Sequence, residues 1–152
     1  MDGLESRRRA SSWPYPRHRT FEAGLRQTAA QWFRSKGYPV HRRYPFILDE
    51  WDNWKRNIIL PEVAGYIDTE RKARHGEGNS FPMHKFIHHG LSSQAMVFNL
   101  IGPLVVRDDY EPLRTVVLAK GLPWPMGTIV GRFEVEDRVV FNENYGQPTS
   151  ID

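Results

Sequence analysis

The chain has 152 residues, which is enough for one domain with a hydrophobic core. Its hydrophobic share of 39% and charged share of 26% are ordinary for soluble proteins and argue against disorder throughout. No apolar run reaches the roughly 18 residues of a membrane-spanning helix, and no secretory signal is visible. The absence of cysteine excludes disulfides and thiolate metal sites. We therefore expect a cytoplasmic protein with no membrane partner, and its net charge of +3 makes it mildly basic.

The basic residues are concentrated near the start of the chain. Pro14 and Pro16 disfavour a helix there, so residues 1–19 are expected to form a flexible basic arm ahead of a single domain at 20–152. Basic clusters bind phosphate backbones by releasing counterions, which predicts a nucleic-acid partner, although a solvated tail has the same composition. The arginines concerned are Arg7, Arg8, Arg9, Arg17, Arg19, Arg42 and Arg43.

Helical patterns follow the arm. The segment 20–37 begins with threonine, a favoured N-cap, carries apolar residues at helical spacing and ends with glycine. A second helical pattern spans 49–60, where Trp51 and Trp54 are expected to be core or groove residues. Pro61 suits the first position of a third helix, which the glycines of a charged loop at 76–78 should end.

The pattern changes from helices to strands in the second half. Ser92 or Ser93 is a good cap for a helix that Gly102 and Pro103 should kink or end, and a short helix is predicted from 108 or 109 to about 120. Residues 128–135 and 138–141 are β-branched or aromatic with a shorter period, as in strands. Helices that lead and strands that follow predict an α+β fold.

Two motifs that resemble catalytic patterns are interpreted as structural. His84 and His88 lie four residues apart, but Lys85 stands where a zinc protease has glutamate, so packing or phosphate contact explains them better than a metal. The triplet at 70–72 formally matches the Glu-x-Lys of metal-dependent nucleases. That triplet must lie on a β-strand to act, whereas this one lies in a charged helical run and is interpreted as a solvated helix face.

One apolar helix contains four polar residues that need an explanation. Ser92, Ser93, Gln94 and Asn99 interrupt the apolar run from Leu91 to Leu100. Buried amides and hydroxyls must find hydrogen-bond partners, so this helix belongs to a polar network or faces a site. The residue types alone leave both alternatives open.

Acidic residues near the end of the chain suggest a cation site. Glu134 and Glu136 should lie on one side of a predicted strand, with Phe133 and Val135 on the other. Asp152 follows a turn-rich segment. Two carboxylates at neighbouring strand ends are what an oxygen-preferring cation such as Mg²⁺ requires.

The sequence resembles bacterial restriction endonucleases of the PD-(D/E)XK superfamily over roughly residues 21–152. The most specific similarity is a Leu-Ser-Ser-Gln helix that ends in Phe-Asn. The matching segments are Trp51 to Pro61, Leu91 to Leu100 with Pro103-Leu104 after it, Phe133-Glu134, and Ser150-Ile151-Asp152.

The resemblance implies a fold, a reaction and a set of site residues. The fold would be a helical N-terminal layer leading into the first strands of a mixed sheet, and the reaction would be Mg²⁺-dependent hydrolysis of double-stranded DNA. Asp152 would be a metal ligand, Glu134 would lie near the metal, and the four polar helix residues would support the site. The family's Glu-x-Lys triplet would follow Asp152, where this chain stops, so we expect a fragment that cuts DNA poorly.

Two other functions fit the sequence. One is a non-catalytic nucleic-acid-binding or defence-associated module that uses the basic arm, and the other is a helical domain for protein interaction. Salt-dependent binding to duplex DNA would argue against the last of these. The target sequence and the oligomeric state stay open.

Overall fold

Four α-helices and one 3₁₀ helix make up most of the described part of the protein. The computed structural model describes residues 16–78, 81–136 and 150–151. The elements are helix α1 (Pro16–Ser35), a 3₁₀ helix (Trp51–Asn57), helix α2 (Pro61–Gly76), helix α3 (Ser93–Arg107), helix α4 (Glu111–Ala119), strand β1 (Val135–Glu136) and strand β2 (Ser150–Ile151).

Helix α1 begins four residues earlier than its sequence predicts. Thr20 lies inside the helix and is not its N-cap, because a proline is tolerated in the first helical turn, where its missing N–H would have no partner. The predicted stop at Gly37 is confirmed: its φ is +65°, and the N–H of Tyr38 donates to the carbonyl of Phe33 at 3.0 Å. Glycine adopts this left-handed conformation without steric cost.

The second helical pattern forms a 3₁₀ helix and not the predicted α-helix. It ends at Asn57, and the chain is extended at Ile58 and Leu60. The residue before a proline is pushed out of the helical region, so Pro61 ends the preceding segment and starts α2, as predicted. Trp54 is only 2% exposed, which confirms its core position.

Helices α2 and α3 pack together and form the centre of the fold. Gly102 of α3 lies against Val63 of α2 so closely that a Cβ built on the glycine would be 2.4 Å from Cγ1 of the valine. Gly102 and Pro103 were predicted to kink or end α3, and the second alternative is wrong, because the helix continues through Pro103 to Arg107 with the left-handed Asp108, φ of 49°, as its C-cap. The glycine therefore serves close packing and not termination.

The predicted mixed sheet is not present in the described residues, which are mostly helical. β1 and β2 are two residues each and pair antiparallel, Val135 with Ile151 and Glu136 with Ser150. The segment before β1, residues 128–134, is irregular, although its β-branched residues predict a strand. The second predicted strand, 138–141, lies outside the described residues. The α+β prediction is thus corrected to a helix-rich fold.

The residues before β1 close the core instead of extending a sheet. Phe133 is 3% exposed and packs edge-to-face on Phe98 of α3, with ring centroids 5.1 Å apart. The ring of Tyr66, on α2, also lies edge-to-face against the ring of Phe133. Burial of an aromatic side chain between two helices fixes the course of the chain here and brings Glu134 to the interface of α2 and α3.

Candidate functional site

Glu134 is a buried carboxylate on a left-handed residue. Its exposed fraction is 2%, and its φ is 52°. The left-handed conformation costs a non-glycine residue about 1–2 kcal/mol, so neighbouring groups must hold it. The predicted alternation is wrong at this point, because the turn buries both Phe133 and Glu134, while Val135 is exposed.

Gln94 binds the carboxylate from helix α3. Its side chain is completely buried, and its Nε2 donates to Oε1 of Glu134 and, at 2.9 Å, to the carbonyl of Pro82. Its Oε1 accepts from the N–H of His84 at 2.8 Å. One amide therefore satisfies a carboxylate and two backbone groups of the loop before α3, as burial of a polar side chain requires.

Arg74 of α2 contacts the same turn through the backbone. Its two terminal nitrogens donate to the carbonyls of Phe133 at 2.9 Å and Glu134 at 3.0 Å. The guanidinium lies 4.9 Å from the ring centre of Phe81 and 3.7 Å from a carboxylate oxygen of Glu70. Sequence reasoning missed this arginine, since nothing in the charged run of α2 distinguishes it from Arg71.

A polar groove of about 580 Å³ opens beside this turn. Arg132 is exposed at its edge, and Tyr66 lies in its wall. Burial, followed by the nearby carboxylate of Glu70, raises the pKa of the Tyr66 hydroxyl above its usual value. Like any tyrosine hydroxyl at neutral pH it is protonated, so it can donate a hydrogen bond into the groove.

The remaining polar residues of α3 have separate structural positions. Of the two serines predicted as possible caps, Ser92 is the N-cap, and its hydroxyl accepts from the N–H of Ala95 at 3.3 Å. Ser93 is exposed. Asn99 donates to the carbonyl of Asn57 at 3.0 Å and accepts from the N–H of Ile59 at 2.7 Å. The structure thus brings Gln94 to Glu134 but directs Asn99 to the 3₁₀ helix.

The sequence model of one protein family matches most of the chain. The family is described as Restriction Endonuclease associating with ARP, and the match covers residues 25–152. The chain belongs to this family. No curated protein and no solved structure matches it. Membership in a restriction-endonuclease family indicates a nuclease or defence-related function and an interaction with DNA.

The structure describes only some of the arginines that are expected to bind DNA. Arg19, Arg42 and Arg43 are exposed, and the guanidinium of Arg43 lies 5.4 Å from the ring centre of Tyr44. The backbone of Arg17 belongs to α1. Arg7, Arg8 and Arg9 lie outside the described residues, as does Asp152. None of the helices in the described ranges is long and apolar enough to cross a bilayer.

The motifs interpreted as structural occupy helix and loop positions. The triplet at 70–72 lies on α2, where Lys72 pairs with Asp68 at 2.8 Å. His84 and His88 lie in an irregular loop and not on a helix. The rings of His88 and His89 meet edge-to-face, 4.6 Å between centroids, and burial lowers the pKa of both.

The fit of a Mg²⁺ ion can be tested on the described residues alone. Among them, no group of three or more histidine, aspartate or glutamate side chains is arranged to hold a metal. Glu134 supplies one carboxylate of the type that Mg²⁺ prefers, but the carbonyl oxygen of Gln94 is already used by His84. A complete cation site would therefore need at least one further carboxylate from the rest of the chain.

Proposed function

We propose that this protein is a restriction-type endonuclease that hydrolyses double-stranded DNA with Mg²⁺, and that Glu134 and Asp152 are the metal ligands. We propose that the site uses the chemistry of the PD-(D/E)XK superfamily. We do not propose the fold of that superfamily, because the described residues contain no mixed sheet. Family membership supports the nuclease part of this proposal.

The register of the two short strands is the observation that carries the proposed ligand pair. Val135 pairs with Ile151, and Glu136 pairs with Ser150. Glu134 directly precedes Val135, and Asp152 directly follows Ile151. Because the strands are antiparallel, both acidic residues adjoin the same end of the strand pair along the chain. This placement supports a shared divalent cation, which prefers carboxylate oxygens.

Each group in this proposal has a distinct task. Mg²⁺, when bound, would polarise the scissile phosphate and lower the pKa of an attacking water. Gln94 holds the carboxylate of Glu134, and Arg74 holds the backbone that carries it. The exposed arginines Arg42 and Arg43 would attract the phosphate backbone without reading the base sequence.

Calorimetric titration with Mg²⁺ tests the ligand pair on the full chain. We expect the wild type to bind the ion, and Glu134→Gln and Asp152→Asn each to lower the affinity at least about tenfold, because a carboxylate ligand is replaced by a neutral amide. Glu136→Gln is the matched control, since that residue pairs with Ser150, and should bind as the wild type does. Absence of Mg²⁺ binding in the wild type, or unchanged affinity in Glu134→Gln, would contradict the proposal.

A non-catalytic interaction module is the second candidate. The family description names an association with ARP, and an apolar groove of about 520 Å³ separates α1 from the start of α3. Phe21 and Met96, which line this groove, are exposed to 64% and 56%. Duplex DNA binding that is unaffected by Mg²⁺ and by Glu134→Gln would favour this candidate over the nuclease.

A further inference from the structure

We infer that the surface formed by α1 and the turn at 41–47 binds single-stranded DNA, and that the ring of Tyr44 stacks on an unpaired base. This inference goes beyond the proposed function, because it concerns unpaired bases and needs neither Mg²⁺ nor Glu134. The exposed arginines Arg42 and Arg43 belong to this surface and would contact the phosphates of the strand.

The charge of this part of the chain has a single sign. Residues 23–48 contain five basic residues and no acidic residue, which gives a local charge of +5, whereas the whole chain has a charge of +3. All five basic side chains are exposed. A surface of one charge sign attracts a partner of the opposite sign, so the expected partner is a polyanion. The basic residues are Arg26, Arg34, Lys36, Arg42 and Arg43.

Aromatic rings lie beside the basic groups on this surface. The guanidinium of Arg43 lies 5.4 Å from the ring centre of Tyr44, and that of Arg26 lies 5.1 Å from the ring centre of Phe46. Proteins that bind single strands combine positive charges, which follow the phosphates, with rings on which bases stack. Because phosphate contacts to a duplex need the charges but not the rings, the combination favours a strand with unpaired bases.

Tyr44 is the ring best placed to stack on a base. It is 41% exposed, whereas Phe46 is half-buried. The ring of His41 is stacked with it, with ring centres 5.3 Å apart and an angle of 24° between the planes. The two rings therefore form a small aromatic platform at the surface. Since every base has a π-face, we expect stacking here to show little preference for base sequence.

Hydrogen bonds within the turn hold this platform in place. The N–H of His41 donates to the carbonyl of Ile47 at 2.8 Å, and the N–H of Ile47 donates to the carbonyl of Tyr44 at 2.9 Å. Nδ1 of His41 accepts from the N–H groups of Arg43 and Tyr44, each at 3.2 Å. A turn that is fixed before binding loses less conformational entropy when the ligand binds.

Fluorescence anisotropy of the full chain at one salt concentration, with three labelled ligands, tests this role. The first ligand is an oligothymidylate of about 12 nucleotides, within the usual range of site sizes. The second is an abasic oligomer of the same length, which keeps the phosphates but has no bases, and the third is a duplex of that length. The variants are Tyr44→Ala, Tyr44→Phe and the control Trp124→Leu, which removes a half-buried ring from the segment after α4.

We expect the wild type to bind oligothymidylate more tightly than the abasic oligomer. Tyr44→Ala should weaken binding of oligothymidylate about tenfold, a typical loss for one stacked base, and should change the other two affinities by less than about twofold. Tyr44→Phe keeps the ring and should match the wild type, as should the control.

Three results would overturn the inference. They are an unchanged affinity of Tyr44→Ala for oligothymidylate, an equal loss of affinity for all three ligands, and an equal loss in Tyr44→Phe. Because no Mg²⁺ is used, failure of the proposed metal site in calorimetry would leave this result unaffected.

Discussion

The side-chain amide of Gln94 and the carboxylate of Glu134 form a hydrogen-bonded pair that is almost completely excluded from water. The pair joins helix α3 to the turn before β1, two parts of the chain that are forty residues apart. Because the same amide also binds Pro82 and His84, the loop before α3 depends on it as well.

Replacement of this amide should destabilise the fold strongly. Gln94→Leu keeps the approximate volume but removes one hydrogen-bond partner from a buried carboxylate and from each of two backbone groups. An unsatisfied buried polar group costs about 1–3 kcal/mol, so we expect a loss of about 3 kcal/mol in the free energy of unfolding. Urea denaturation measures this loss. Ser93→Ala, at the exposed neighbouring position, should change it by less than about 0.5 kcal/mol, and a similarly small effect of Gln94→Leu would contradict the network.

The contact between Gly102 and Val63 makes a second prediction about stability. Gly102→Ala places a methyl group 2.4 Å from the valine, and such overpacking costs about 1–3 kcal/mol. Gly65→Ala on α2 is the matched control, because nothing lies within 4 Å of its added methyl group and alanine favours a helix by about 1 kcal/mol. The thermal unfolding temperature should therefore fall for Gly102→Ala and rise for Gly65→Ala. The second substitution Val63→Ala should relieve part of the cost of Gly102→Ala, and strict additivity would argue against the contact.

The exposed arginines before the 3₁₀ helix should control DNA affinity. Arg42→Ala with Arg43→Ala removes two charges from an exposed segment. If both contact phosphates, affinity for duplex DNA should fall, and the slope of log affinity against log salt should decrease by about 2. Fluorescence anisotropy at several salt concentrations measures both. Arg114→Ala with Lys120→Ala removes the same charge near α4, and an equal effect of this control would show that net charge alone governs binding.

The stability of the protein should depend on Asp68 in acid. Hydrogen bonds from Lys55 and Lys72 hold the pKa of this carboxyl below its ordinary value of 3.8. Because the folded pKa is lower than the unfolded one, ionised Asp68 stabilises the fold above the unfolded value, and this contribution is lost as the pH falls through the folded pKa.

Denaturant titration at two pH values checks this dependence. At pH 7, Asp68→Asn should be less stable than the wild type by less than about 1 kcal/mol, since surface pairs contribute little. The difference should shrink as the pH falls below 3.8, and high salt should reduce the difference at pH 7. A difference that is independent of pH and salt would show that Asp68 acts through packing and not through its charge.

The sequence predicts best the features that depend on local chemistry. The stop at Gly37 and the start at Pro61 were predicted correctly, and the cap is Ser92, one of the two serines predicted for it, because each follows from the hydrogen-bonding or steric properties of the residue itself. The sequence left open whether the polar residues of α3 belong to a buried network or face a site, and the structure shows that the amide of Gln94 has three partners in a buried network.

The sequence predicts poorly what distant contacts decide. The apolar and β-branched residues at 128–135 have the composition of a strand, yet burial of Phe133 and the hydrogen bonds from Arg74 bend the chain into a left-handed turn at Glu134. Strand propensity is a local property, so it cannot predict the effect of Arg74, which lies sixty residues before Glu134. The roles of Asp152 and Glu134 in metal binding stay predictions.

The loop at 81–90 has a consequence for the order of folding. Three of its backbone carbonyls and the N–H of His84 are bound by the side chains of Asn57 and Gln94, which belong to the 3₁₀ helix and to α3. These hydrogen bonds require both helices to be in place, so we expect the loop to acquire its final shape after the two helices have met. If that step follows the rate-limiting one, replacement of either amide would speed unfolding and leave the refolding rate almost unchanged.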